Sequence, residues 1–155
     1  MTQPQPRLSP PEWYADGLRF QCTQCGNCCT GPSGWVWFTD EEGSAMARRL
    51  GVDEKAFYER YARKVRGRWS LVETRTEHGY DCVFLDRKSV PGKAICSLYG
   101  ARPMQCRTWP FWPENIRTER AWKEVKQVTP CPGMGRGKLI PVEEIRIQRD
   151  VTPNG

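Results

Sequence analysis

The chain has 155 residues, eight cysteines, a single histidine and a formal net charge of +6. That length fits one domain with a core of its own, and a hydrophobic fraction of 38% excludes long disorder. The longest uncharged apolar run, Trp35-Val36-Trp37-Phe38, is far short of the ~20 residues of a membrane-spanning helix.

Residues 1–19 read as a proline-rich N-terminal arm holding Pro4, Pro6, Pro10 and Pro11, from which Trp13 and Tyr14 are expected to pack back. Met1 to Arg7 carry no apolar stretch of a secretory signal, so the expected location is cytoplasmic. In that reducing setting grouped cysteines mark metal or redox chemistry rather than disulfides. A cysteine-cluster metal-binding domain is expected over 20–137, and residues 138–155 form a C-terminal tail that could dock as a short element.

Thr39-Asp40-Glu41-Glu42 is a capping box opening a helix through Leu50, which Gly51 closes. Asp53 caps a second helix with Ala56, Phe57 and Tyr61 on one face. Residues 69–76 and 80–85 are rich in β-formers around a turn at Glu77-His78-Gly79, and 94–99 read as a further short strand. Pro103 suits the first turn of a brief helix through Arg107. The prolines of Trp109-Pro110-Phe111-Trp112-Pro113 forbid a long regular element there. The glycines from Gly133 to Lys138 read as a flexible turn, since Leu139 stands where a phosphate loop needs Ser or Thr. The expected fold is α+β: a small, loop-rich single domain organised around a cysteine metal cluster, with two helices followed by short strands.

The strongest chemical signal is Cys22-x-x-Cys25-x-x-Cys28-Cys29. Two-residue gaps let a tight loop aim successive thiolates at one centre, and Gly26 permits the backbone this needs. Cys22, Cys25 and Cys28 share the spacing of a bacterial ferredoxin run, and Cys131-Pro132 supplies its outlying cysteine. Side chains adjacent in extended backbone point apart, so Cys28 and Cys29 are not expected to serve one mononuclear ion. They serve two centres, or one bridges, or one stands outside the coordination shell. Eight thiolates fill two tetrahedral zinc sites, or one cubane cluster with four left over. One histidine cannot build the two- or three-imidazole zinc sites of hydrolases.

Four motifs in order now resemble a known family. They are Phe20-x-Cys22-x-x-Cys25-Gly26-x-Cys28-Cys29-x-Gly31, Cys82-Val83-Phe84-Leu85, Cys96-x-x-Tyr99-x-x-Arg102-Pro103-x-x-Cys106-Arg107, and Cys131-Pro132-Gly133. This is similar to the YkgJ-like, or C-x-x-C-x-x-C-C, proteins, described as chelators of zinc or iron. A related cluster occurs in flagellin lysine methylases. Where the family has Phe-Pro after the third motif, this chain has Trp109-Pro110. The resemblance implies a metal-chelating domain with Cys82, Cys96, Cys106 and Cys131 as ligands beside Cys22, Cys25, Cys28 and Cys29. It leaves the cofactor open between iron, as an iron–sulfur cluster, and zinc.

Arg102 and Arg107 flank Cys106 and are candidates to steady a thiolate cluster by charge and by donation to sulfur. Tyr99 is a further donor candidate, although a core position is the more ordinary place for it. His78 is expected to be an exposed turn residue, and Trp109, Phe111 and Trp112 to shield the centre or fill the core. Arg48, Arg49, Arg60, Arg63, Lys64, Arg66 and Arg68 form a basic stripe. Metal-bound thiolates offset that charge, each zinc with four thiolates adding about −2, so nucleic acid is not the expected partner. The expected partners are a metal ion and a protein, with no membrane. The function expected is metal chelation in a redox, metal-handling or enzyme-accessory module. The alternative is a structural-zinc module whose basic face contacts nucleic acid or protein. No catalytic set can be named, and enzymatic activity stays open.

Overall fold

The computed structural model describes residues 11–153; residues 1–10 of the expected arm and 154–155 of the expected tail lie outside it. Helix α1 (Asp40–Leu50) starts at the capping box, where Thr39 Oγ1 accepts from Glu42 N at 3.2 Å and Glu42 Oε1 accepts from Thr39 N at 2.9 Å. Asp53 opens α2 (Glu54–Tyr61) by accepting from Ala56 N at 2.7 Å.

Two hairpins follow. β2 (Ala62–Val65) pairs with β3 (Arg68–Leu71), and β4 (Glu73–Thr76) pairs with β5 (Gly79–Cys82) across the turn Glu77-His78. The single strand expected at 69–76 is therefore two strands in two sheets. The break is at Val72, whose amide donates sideways to Tyr61 O while its carbonyl accepts from Val83 N. Of the strand expected at 94–99, only β7 (Ile95–Cys96) forms, paired with β6 (Leu85–Asp86), and the chain then coils into a 3-10 turn at Tyr99–Ala101. The brief helix expected here is α3 (Met104–Thr108), although Pro103 stands just outside its first turn as the N-cap, with ψ at 156°.

The glycine-rich segment expected to be a flexible turn is instead part of β8 (Met134–Ile140), antiparallel to β1 (Leu18–Phe20). The register slips between Arg19 and Phe20, and Gly135 and Gly137 take positive φ, so the strand is irregular. α4 (Pro113–Ile116), α5 (Glu119–Val128), capped by Thr118, and α6 (Val142–Val151) complete the chain.

Apolar side chains gather in two cores. One joins Tyr14, Phe111, Ile116, Trp122, Met134 and Ile145, with Phe111 stacked on Trp122 at 5.8 Å. Trp13 and Tyr14 do pack back: the Trp13 indole donates to Ile116 O at 2.7 Å, and Tyr14 is buried. Arg146 clamps Glu12 with two bonds of 2.9 and 2.7 Å, which hold its carboxyl down at about 2. The other core joins Phe38, Met46, Phe57, Leu71, Phe84 and Leu98. No helix among the described residues is long and apolar enough to cross a membrane.

Candidate metal centre

The cysteine loop is tied to the later cysteine segments one by one. Gln24 O accepts from Ala94 N at 2.9 Å, two residues before Cys96. Gly31 O accepts from Tyr80 N at 2.8 Å, at the head of the strand that ends in Cys82. Asn27 Nδ2 donates to Pro130 O at 2.6 Å, next to Cys131. Two of these approaches need glycine. A Cβ on Gly79 would stand 2.7 Å from Gly31 O, and one on Gly26 (φ 75) only 2.5 Å from the Ala94 methyl.

Buried polar groups secure the same contacts. Asp81, beside Cys82, accepts from Thr30 Oγ1 and from Arg87 Nε and Nη2 at 2.8 and 3.0 Å. Those bonds, the Arg87 pair foremost, lower its carboxyl below the ordinary 3.8. Helix α3 brings Cys106 because Met104 N donates to Glu42 Oε2 at 2.5 Å, while Gln105 accepts from Trp37 N and donates to Trp35 O.

A local device recurs at the sulfurs. The amide two residues on points back at Sγ: Gln24 N to Cys22 at 3.4 Å and Asn27 N to Cys25 at 3.5 Å. The backbone amides of Phe84, Leu98 and Gly133 likewise pull the Cys82, Cys96 and Cys131 thiols down against the larger effect of burial. An N–H aimed at sulfur favours the thiolate, the form that binds metal.

Cys22, Cys28, Cys29, Cys82, Cys96 and Cys106 line one cavity of about 110 Å³. Its other walls include Met46, Leu71, Phe84, Leu98, Trp109 and Trp112, and Arg102 is its one cationic residue. Cys25 and Cys131 do not line it; Cys131 lies against the Phe111 core, with Cys25 within electrostatic reach. Burial pushes the Cys82 thiol up to about 11, and raises Cys96, Cys106 and Cys131 as well. Cys28, hydrogen-bonded by the Cys29 thiol, is lowered, and Cys29 is raised in turn. Thiolates in such a place need a cation, and metal binding there releases protons. Among the described residues, no three His, Cys, Asp or Glu side chains stand close enough together to hold an ion as they are. The sulfurs ring the space instead of meeting at a point.

Several expectations change. Residues 27–29 form a 3-10 turn, not extended backbone, so Cys28 and Cys29 do not point apart: their sulfurs are 3.8 Å from one another. Tyr99 is no core residue, at 59% exposure, and stacks on Arg102 at 3.9 Å where both flank the cavity. Arg102 and Arg107 take different places. Arg102 faces the sulfurs, while Arg107 donates to Arg102 O at 2.7 Å and Gly100 O at 3.2 Å, bracing the turn. His78 is an exposed turn residue beside Glu77, as expected. Phe111 is core, and Trp109 and Trp112 wall the cavity. Sequence reasoning missed Asp81, Glu42 in its second role, and Gln105. An aspartate next to a motif cysteine was the one available sign. The sulfur set, its amide donors and the dry walls fit a thiolate-bound metal.

A family model described as "putative zinc- or iron-chelating domain", with the pattern C-x-x-C-x-x-C-C, matches residues 21–132, more than two thirds of the chain. No solved structure matches the chain.

Proposed function

The chain belongs to the C-x-x-C-x-x-C-C family of zinc- or iron-chelating domains, and we propose that it holds an iron–sulfur cluster in this cavity as a redox or enzyme-accessory module. The observation that carries the reading is the ring of sulfurs around about 110 Å³ of space. A single tetrahedral ion with metal–sulfur bonds of about 2.3 Å needs four sulfurs all about 3.8 Å apart. The Cys28–Cys29 pair has that spacing, yet among the described residues no three donors are so gathered. A core that carries its own sulfide holds thiolates farther apart and fills the room between them.

Bound there, such a cluster supplies one-electron transfer. Four of the six lining thiols, Cys22, Cys28, Cys29, Cys82, Cys96 and Cys106, would hold it, beside walls that are mainly apolar. Arg102 offsets the negative charge, and Arg107 keeps the Arg102 backbone in place. The walls bring no carboxylate or imidazole, and the titratable side chains that line them are the thiols, Tyr99 and Arg102. The alternative, structural zinc with a basic docking face, draws less support. Lys64 lies over Trp69 at 5.4 Å, and Arg63 donates to Gly34 O at 2.8 Å, so part of the stripe is engaged internally.

Iron, zinc and acid-labile sulfide should be quantified on anaerobically purified protein, with its visible spectrum. Iron with sulfide is expected. Zinc without sulfide would overturn the cluster, and a folded protein with neither metal would overturn metal binding altogether.

A further inference from the structure

We propose that Tyr99 is a positioning residue: its ring holds the Arg102 guanidinium at the mouth of the cysteine cavity, and through Arg102 it sets how firmly the thiolates there keep their metal. The proposal rests on the reading that these thiols bind metal, iron and zinc alike. It gives Tyr99 no bond to metal or to sulfur.

An aromatic ring as exposed as that of Tyr99 is not held in place by core packing. Leu98, just before it, is buried in the Phe57 core, and the 3-10 turn Tyr99–Ala101 that follows carries Tyr99 out to the surface. Side chains three apart in such a turn eclipse one another. Arg102 is three residues on, and its guanidinium carbon lies 3.9 Å from the centre of the Tyr99 ring. Tyr99 engages the arginine a second time, since Arg102 Nε donates to Tyr99 O at 3.0 Å. A planar guanidinium set on a ring and bonded to the same residue's carbonyl has little freedom left.

The cation so held stands where the sulfurs need one. Tyr99 and Arg102 both line the cavity of the six thiols, Cys28, Cys96 and Cys106 among them, and among the described residues no other Lys, Arg or His does. A metal bound by several thiolates carries net negative charge, which a fixed guanidinium beside it offsets. The main chain below is secured independently. Ala101 N donates to Leu98 O at 2.8 Å, and Arg107 donates to Arg102 O and Gly100 O. Pro103 follows and keeps Arg102 out of the helical region, with ψ at 141°. With the backbone set, the remaining freedom lies in the Arg102 side chain, which is rich in rotamers, and the Tyr99 ring is what it rests on.

The test compares anaerobically purified full-length protein, carrying the metal it binds, as the parent chain, Tyr99→Phe, Tyr99→Leu, Arg102→Ala and the double variant Tyr99→Leu/Arg102→Ala. The rate of metal loss to excess EDTA is read by metal analysis, and circular dichroism checks the fold. Arg102→Ala is expected to lose metal about 10-fold faster than the parent. Tyr99→Leu should lose it about 2–5-fold faster, and Tyr99→Phe, which keeps the ring, at the parent rate. The double variant should match Arg102→Ala, because Tyr99 acts only through the guanidinium. Additive effects in the double variant would overturn the proposal. So would a loss in Tyr99→Phe as large as in Tyr99→Leu, which would point to the hydroxyl instead of the ring. If Arg102→Ala fails to fold, Tyr99→Leu against Tyr99→Phe decides alone. Protein purified without metal would sink the metal reading itself, whereas metal released at one rate by the parent and Tyr99→Leu would sink only this role for Tyr99.

Discussion

The core around Phe57 is assembled from one stretch of chain, between Val36 and Ala101, whereas the core around Phe111 joins Tyr14 and Phe20 to Ile140 and Ile145 at the far end. The first is closed by helix caps and hairpins, the second by strands β1 and β8 more than a hundred residues apart. Closing the longer loop costs more chain entropy before any contact rewards it. The cysteines straddle the two: Cys82 and Cys96 pack on the Phe57 core and Cys131 belongs to the Phe111 core. A metal in the cavity is walled by Met46, Leu71, Phe84 and Leu98 of the Phe57 core and by Trp109, which packs against the Phe111 core, so it ties the non-local core to the local one.

Metal removal should break this comparison open most widely. Structural metal binding supplies on the order of 10 kcal/mol of folding free energy. After confirmed metal loss, hydrogen exchange should speed up across β1 and β8 while α1 and α2 stay protected. Equal loss in both regions would refute the asymmetry.

Phe57→Ala and Phe111→Ala should each cost about 3–5 kcal/mol in the loaded protein, since both rings are almost fully buried. In the metal-free chain, denaturant melts should part them. Phe57→Ala would remove the remaining cooperative transition, and Phe111→Ala would barely change it.

Asp81→Asn should cost about 2–3 kcal/mol by leaving the largely buried Arg87 contact half made. Because the folded-state carboxyl is lowered, the stability it contributes is complete above the ordinary carboxylate value of 3.8. It is lost as pH falls through the lower folded value. Urea midpoints between pH 7 and pH 2 should fall more steeply for the parent chain than for Asp81→Asn. The smallest effect is at the local end. Thr39→Ala should cost about 1 kcal/mol, read as a shift of the urea midpoint.

Local chemistry was legible in the sequence where partners lie within a few residues. Thr39 with Glu42, Asp53 with Ala56, and the Glu77-His78 turn all hold in the fold. β8 was not legible, because its glycines become a strand only against β1, and the pairing has no short-range sign. The C-terminal helices were missed or half seen: α5 is a short run with charges between Trp122 and Val125, and α6 was read only as a docking element. In the candidate site Cys22, Cys25, Cys28 and Cys29 announce themselves by spacing, while Cys82, Cys96, Cys106 and Cys131 are scattered along the chain and enter only through the family resemblance. The amide donors do not, since any residue two positions on can supply them.

The pairing of Phe20 with Met134 also sets an order of events during synthesis. Ribosomes add about 5–20 residues per second, so the loop cysteines emerge roughly 6–20 s before the strand that pairs just ahead of them exists. In that interval the segment around Phe57 can already close, leaving Cys22 to Cys29 displayed and open to any thiophilic ion. The nascent chain therefore presents an incomplete ligand set first, and correct loading belongs to the finished polypeptide.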